Sequence, residues 1–259
     1  MEAPGVHLSD DGTLPAMIEV SDLTVHYGKG ERAVEAVRDV SFSVKPGKTL
    51  ALVGPSGCGK TTILFALAGL LQASAGTMSV GGSAVTGPRR DVALILQNAG
   101  LLPWKTVWQN ANLSLLLSGE YPRRNAASVL EKLGLAQART RYPSELSEGM
   151  KRRVGVARAL STSPTVMLMD EPLASLDTLT RESVQDLVLS LWQELRFSIV
   201  LVTHDIEEAA FLGQEILVLT ERPAHIKARV ENPNMGTEAY RWSDRFYAAT
   251  AALRQALEQ

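Results

Sequence analysis

The chain has 259 residues, a formal net charge of -2 and 45% hydrophobic residues, enough for one large α/β domain or a domain with a subdomain. The near-neutral charge argues against a general nucleic-acid-binding surface, and no apolar run approaches the length that crosses a bilayer. The only cysteine, Cys58, has no partner for an internal disulfide and suits a reducing compartment.

Residues 1–16 carry acids and prolines without an apolar core, which predicts a disordered leader and not a signal peptide. From Ile18 to Val44 the pattern is strand-like: Val40, Phe42 and Val44 alternate with Ser41 and Ser43, as in a half-buried antiparallel strand ending at the turn Pro46-Gly47. A buried-type strand, Thr49-Leu50-Ala51-Leu52-Val53, then leads into Gly54-Pro55-Ser56-Gly57-Cys58-Gly59-Lys60-Thr61, and an apolar helical run over 62–71 leads out. That is a complete G-x-x-x-x-G-K-[ST] loop in the strand–loop–helix context its chemistry requires. The glycines let successive N–H groups point at phosphates, and the helix adds the positive end of its dipole. Lys60 can reach the β- and γ-phosphates, and the Thr61 hydroxyl is placed to ligate Mg²⁺. Thr62 completes the binding segment, and Cys58 reads as a small filler within it. The chain is expected to bind a nucleoside triphosphate.

Downstream, residues 77–85 read as a hairpin around Gly81-Gly82, and Val92 to Leu96 as a short strand running into Gln97. The region of about 101–160 lacks strong strand signals. It carries helical patches at 107–117, 124–133 and 149–160, broken at Gly119, Pro122 and Pro143, and reads as a helical insertion. Val166-Met167-Leu168-Met169 and Ile199-Val200-Leu201-Val202 are continuous apolar runs, expected of strands buried on both faces of a parallel sheet. Between them Val184, Leu187, Val188, Leu191 and Leu195 fall on one helical face. Leu217-Val218-Leu219 is a further strand, and residues 242–257 form an amphipathic helix with Phe246, Ala249, Leu253 and Leu257 on one side.

The strand ending at Met169 delivers Asp170 and Glu171 to its C-terminal end, where open α/β sheets bind ligands. Asp170 can hold magnesium through water, and Glu171 can orient and polarise an attacking water as a general base. Pro172 is expected to bias Glu171 toward an extended backbone that prolongs the strand.

On these motifs and their order, the chain resembles an ATP-binding cassette (ABC) ATPase over residues 18–223, and is most similar to the ATPase subunits of bacterial importers for nitrate, sulfonates and taurine. The resemblance implies a P-loop NTPase core with a mostly parallel sheet, an N-terminal antiparallel β subdomain and an inserted helical subdomain, all one domain over 17–259. Tyr27 matches the aromatic that stacks on adenine, and Gln97 the loop glutamine that senses Mg²⁺ and the attacking water beside the membrane-subunit contact. Leu101-Leu102-Pro103-Trp104 follows, as in the oxyanion importers. Leu146-Ser147-Glu148-Gly149-Met150 occupies the signature position before the basic helix Lys151-Arg152-Arg153. Leu173-Ala174-Ser175-Leu176-Asp177 matches the segment that crosses a dimer interface, and His204 the switch histidine that contacts the γ-phosphate.

The signature departs from the family's Leu-Ser-Gly-Gly-Gln by placing Glu148 where the first glycine stands. Ser147 and the Gly149 amide, which face the γ-phosphate of the opposite subunit, survive. The Glu148 side chain is expected to point to solvent, because the helix-start geometry aims its neighbours inward.

The resemblance further implies ATP and Mg²⁺ as ligands, a second copy of the chain as partner, and a separate integral membrane permease that holds this chain peripherally at the cytoplasmic face of the inner membrane. An extracytoplasmic solute-binding protein would act indirectly, and no nucleic acid is expected. An ABC ATPase of lipoprotein extraction, export or mechanotransmission shares every ATP motif and stays open as an alternative. Soluble ABC ATPases of ribosomes or DNA repair carry two cassettes or a long coiled coil, neither of which is present here. The transported solute is left open.

Overall fold

The computed structural model describes residues 15–28, 33–174, 176–237 and 239–258, so the leader predicted at 1–16 lies almost entirely outside the described residues. Two sheets organise the chain. The first is antiparallel, in the order β2-β1-β4-β5, from β1 (Ile18–Tyr27), β2 (Val34–Val44), β4 (Ala75–Val80) and β5 (Ser83–Ala84). Val40, Phe42 and Val44 are buried while the intervening serines are not, so the alternation fixes which face meets the core. The β4–β5 hairpin turns at Gly81-Gly82.

The second sheet has the order β10-β9-β3-β8-β7-β6. It comprises β3 (Thr49–Val53), β6 (Val92–Ile95), β7 (Val166–Asp170), β8 (Ser198–Thr203) and β9 (Glu215–Leu219), all parallel, with β10 (Ile226–Glu231) antiparallel at the edge. Its central strands are apolar without a break because both faces are covered. Period two divides them between two cores. Leu50, Leu52, Leu168, Val200, Val202 and Leu217 face the antiparallel sheet and α1 (Lys60–Leu67). Ala51, Val53, Met169, Leu201 and Val218 face α5 (Glu148–Leu160), α6 (Thr178–Leu195), α7 (Ile206–Leu212) and α8 (Asp244–Glu258). Ile63, Leu64 and Leu67 of α1 are fully buried, each worth about 2–3 kcal/mol relative to exposure. That burial clamps the phosphate loop between the two layers.

The helix after the loop stops at Leu67 and not near 71, because Gly69 adopts a left-handed φ of 70° just past the cap and its amide turns back to the Ala66 carbonyl. The patch predicted at 107–117 is two helices, α2 (Val107–Ala111) and α3 (Leu113–Leu117). Buried Asn112 sits between them, its Nδ2 donating to the Trp108 carbonyl at 2.8 Å and its Oδ1 accepting the Ala126 amide at 2.9 Å. With α4 (Ala127–Lys132) and α5, these helices lie on the crossover between the neighbouring strands β6 and β7. Leu195, expected on the buried face of α6, is 47% exposed at its last position. Trp242 precedes α8 in a short 3-10 turn and is exposed. Among the described residues, no helix is long and apolar enough to cross a membrane.

Candidate active site

The parallel strands deliver their chemistry at one end. The loop after β3 begins at Gly54 and wraps to Lys60, the first residue of α1. Gly59 stands at φ 134°, and a Cβ there would lie 2.5 Å from the Ala36 carbonyl oxygen, so the curl that aims the loop amides requires glycine. Lys60 is buried, its ammonium donating to the carbonyls of Gly54 at 2.8 Å and Pro55 at 2.9 Å. Cys58 is buried beneath the loop, its Sγ 4.0 Å from the Lys60 Nζ.

Of the two acids predicted at the end of β7, Asp170 comes to this loop across 109 positions of sequence. The Thr61 hydroxyl donates to Asp170 Oδ1 at 3.0 Å. Burial raises the Asp170 carboxyl above the usual range, with the Thr61 hydrogen bond opposing that shift and the neighbouring Glu171 adding to it. A hydroxyl beside a buried carboxylate is a hard-oxygen pair of the kind Mg²⁺ takes, and a divalent cation would favour the ionised form of Asp170 that burial disfavours. The donor set therefore fits the metal.

Glu171 does not prolong the strand. Its amide still pairs with the Val202 carbonyl at 2.8 Å, but its φ is 44°, in the left-handed region. The bias that a following proline places toward extended backbone is overridden here. The chain reverses here into a tight turn, with the Ala174 amide returning to the Glu171 carbonyl at 3.3 Å. Such a backbone costs a non-glycine residue about 1–2 kcal/mol and is found where a side chain must be re-aimed. The re-aimed carboxylate meets His204 at the end of β8, Oε1 to Nδ1 at 3.1 Å. Tyr27, at the end of β1, shares a 3.1 Å hydrogen bond between its hydroxyl and that of Thr62 and leaves its ring half exposed over the start of α1. Gln97 is exposed just past β6. The loop after it is held by buried Asn110, which accepts the Leu102 amide at 2.8 Å and donates to the Lys105 carbonyl.

The remaining predicted residues form a second group. Ser147 caps α5, its Oγ accepting the Met150 amide at 3.3 Å. Gly149 is buried so close to α6 that a Cβ would sit 2.6 Å from Thr180 Cγ2. Asp177 caps α6 by accepting the Thr180 amide at 3.0 Å, which lowers its pKa. Glu148 points outward, its side chain 60% exposed and paired with Lys151 at 2.6 Å. Among the described residues, no hydrogen bond or ion pair joins Ser147, Gly149 or Asp177 to the phosphate loop. The sequence reading missed what holds this group. Buried Arg152 donates to the Ala174 carbonyl at 3.0 Å, and Arg181 donates to the Leu176 carbonyl at 3.0 Å and pairs with Asp205 at 2.9 Å. It also missed Arg222, which donates to the Gly57 carbonyl in the phosphate loop at 2.8 Å, and Glu208, a buried carboxyl that accepts the Thr203 hydroxyl. The contacts of Arg152, of Arg222 and of Arg181 with Asp205 join residues far apart in sequence, while those of Arg181 with Leu176 and of Glu208 with Thr203 are local but belong to no motif.

A phosphate loop joined to a strand-end carboxylate, with a second carboxylate aimed beside a histidine, defines a nucleoside-triphosphate hydrolase of the P-loop class. Residues 37–174 match the family model described as ABC transporter. The chain is 41% identical to the taurine import ATP-binding protein TauB of Yersinia pestis bv. Antiqua over 83% of this chain and 84% of the relative. The TauB of Escherichia coli strain K12 is 40% identical over the same shares. Among solved structures, the ATP-binding cassette MJ0796, a dimer bound to ADP and Pi, superposes with a TM-score of 0.72 at 27% identity, covering 83% of this chain and 98% of that one. CbiO1 from Clostridium perfringens, part of the cbiONQ transporter complex, shares the fold with a TM-score of 0.74 at 21% identity, over 92% and 95% of the two chains. The chain belongs to the ABC transporter family: it is an ATP-binding, ATP-hydrolysing enzyme with the α/β ABC ATPase fold.

Proposed function

We propose that this chain is the ATPase subunit of a bacterial ABC importer for a small oxyanionic solute of the taurine, sulfonate or nitrate kind. The 40–41% identity to taurine import ATPases supports the solute class, while the choice of solute rests with the permease and an extracytoplasmic binding protein. The observation that carries the ATPase half is the pair of contacts Thr61–Asp170 and Glu171–His204 at the ends of adjacent parallel strands.

In this reading the loop from Gly54 to Thr62 holds the triphosphate, Lys60 exchanges carbonyl partners for the β- and γ-phosphates, and Tyr27 stacks on the base. Thr61, Asp170 and Gln97 hold Mg²⁺, which when bound offsets the phosphate charge. Glu171 accepts a proton from the attacking water, and His204 orients that carboxylate and faces the γ-phosphate. Ser147, Gly149 and Asp177 serve the opposite nucleotide, as the signature and interface segments do in the family the chain belongs to. Two copies would then close on two nucleotides and part after hydrolysis, and the difference in ATP binding between closed and open dimers drives a separate permease at the cytoplasmic face. A groove of about 640 Å³ beside β6 and α5, lined by Arg90, Val92, Leu94, Leu117, Glu120 and Arg158, together with exposed Trp104 and Leu116, offers the permease a mixed apolar and charged seat.

The test is the chain with Glu171→Gln. ATP binding should persist while hydrolysis slows by about two to four orders of magnitude, the usual weight of a positioned base. ATP should also hold the variant as a dimer by light scattering. Near-normal turnover would remove Glu171 from the role. With the permease reconstituted, taurine or another sulfonate delivered by the binding protein should raise ATPase activity; stimulation only by an unrelated solute would overturn the solute class.

A further inference from the structure

We propose that Arg181 is a positioning residue that ties the turn carrying His204 to the segment 173–177, so that contact with the second copy is transmitted to the histidine. The inference rests on the dimer reading above.

His204 stands between two fixed residues. Before it, the Thr203 hydroxyl accepts the Asp205 amide at 3.0 Å and donates to Glu208. After it, Asp205 uses each carboxylate oxygen differently. Oδ1 accepts the amides of Glu207 at 2.9 Å and Glu208 at 3.1 Å, starting α7, while Oδ2 takes Arg181 Nη1 at 2.9 Å. The same guanidinium reaches the other way: Nη2 donates to the Leu176 carbonyl at 3.0 Å. The backbone amide of Arg181 also donates to the Asp177 carbonyl at 2.9 Å. One planar side chain thus joins the residue after His204 to the residue before Asp177.

Two features favour transmission over simple stapling. First, the charge pair is only part-buried, with side chains 33% and 28% exposed, so it contributes little to stability by itself. Second, two carbonyls ahead of Asp177 are held by arginines from both sides, Ala174 by Arg152 of α5 and Leu176 by Arg181 of α6. Ala174 and Leu176 are thereby tied to the signature helix and to the His204 turn, and a shift imposed at Asp177 by a second copy is passed through a rigid fork to Asp205. Lysine keeps the charge but cannot donate along two fixed directions at once.

The experiment compares Arg181→Lys, Asp205→Asn and their double variant in the full chain, and Arg181→Lys in the Glu171→Gln background. Asparagine preserves the cap of α7. Melting temperature and the affinity of the isolated chain for ATP should stay near the parent values. Turnover should fall about tenfold in each single variant and no further in the double, the behaviour of residues acting as one unit. The Hill coefficient for ATP should fall toward one, and ATP-driven dimerisation of Glu171→Gln should weaken about tenfold when Arg181→Lys is added. Turnover within twofold of the parent, or losses that multiply in the double variant, would overturn the bridge. A Glu171→Gln parent that stays monomeric with ATP overturns the dimer reading itself, whereas a dimerising parent undisturbed by Arg181→Lys overturns the bridge alone.

Discussion

Replacing Glu208 by glutamine should change how stability depends on pH, and both sign and size follow from the site. The side chain is 2% exposed. One carboxyl oxygen accepts the Thr203 hydroxyl, and the other has no hydrogen-bond partner. Burial, reinforced by the nearby carboxylates of Asp205 and Glu171, pushes its pKa from 4.5 up to about 7, against the Thr203 hydrogen bond and the Arg181 charge. The folded chain therefore keeps a proton that the unfolded chain gives up. The stability this proton confers is fully present below about pH 4.5 and is lost as pH rises through about 7. A shift of this size corresponds to about 3 kcal/mol. Glutamine stays neutral throughout, still accepts from Thr203 and matches the protonated acid in shape. Unfolding in urea, followed by tryptophan fluorescence at pH 5, 6, 7 and 8, should show the variant gaining on the parent by up to about 3 kcal/mol across the series. Other titrating groups cancel in the difference between the two proteins. A stability difference that stays constant within about 0.5 kcal/mol from pH 5 to 8 would refute the reasoning.

Three further outcomes can be checked with purified protein. Lys60→Ala should weaken ATP binding more than adenosine binding, and Tyr27→Ala should weaken both by the base contact, about 1–3 kcal/mol by analogy with other aromatic–base stacks; equal losses for both ligands in both variants, by calorimetry, would contradict that division. Gly59→Ala drives a Cβ to 2.5 Å from the Ala36 carbonyl at a φ of 134°, so ATP affinity should drop at least about tenfold, and a dissociation constant within threefold of the parent would count against it. Glu148→Gln removes an exposed pair with Lys151 at a helix start, so it should cost about 0.5–1 kcal/mol of stability and change turnover less than about threefold. A tenfold gain in hydrolysis or dimerisation would show that the carboxylate faces the nucleotide after all.

What could be read before folding was whatever depends on short-range pattern. The continuous apolar runs at 166–169 and 199–202 identify strands covered on both faces, and the glycine spacing of 54–61 is a motif legible without knowing that Ala36 and Leu219 crowd Gly59 and Gly54. The edge strand Ile226–Glu231 does carry a period-two signal, with Ile226, Ala228 and Val230 half-buried between exposed Lys227, Arg229 and Glu231, but its mixture of charge and small residues hides it. The break at Asn112 is set by a buried amide whose oxygen is taken by Ala126 fourteen positions on, whereas the stop at Gly69 is a local glycine cap that the apolar run to Leu71 obscures. Glu171 shows the limit most plainly. A local rule for the residue before proline pointed to an extended backbone, and the turn that re-aims the carboxylate prevailed.

The costs of the site cluster at two neighbouring strand ends. At the end of β7 lie the buried Asp170 carboxyl and the left-handed Glu171; past β8 lies the buried Glu208. None of these arrangements stabilises the fold by itself, so the strands behind them must hold the geometry. They are equipped to do so: every residue of β7 and of β8 is buried, and the strands pair directly in parallel register from Val166–Ser198 to Asp170–Val202. The Glu171 amide extends that ladder by one more bond, to the Val202 carbonyl, at the very residue whose φ departs from strand geometry. The backbone is thus paired in the sheet up to the reacting group, and beyond it Ala174 and Leu176 are held instead by the Glu171 carbonyl and by Arg152 and Arg181. On the dimer reading proposed above, the sheet keeps the carboxylate aimed while Asp177 meets the second copy. The contact from Arg181 falls on Leu176 and Asp205, both beyond the strand ends, where the backbone is no longer paired in the sheet.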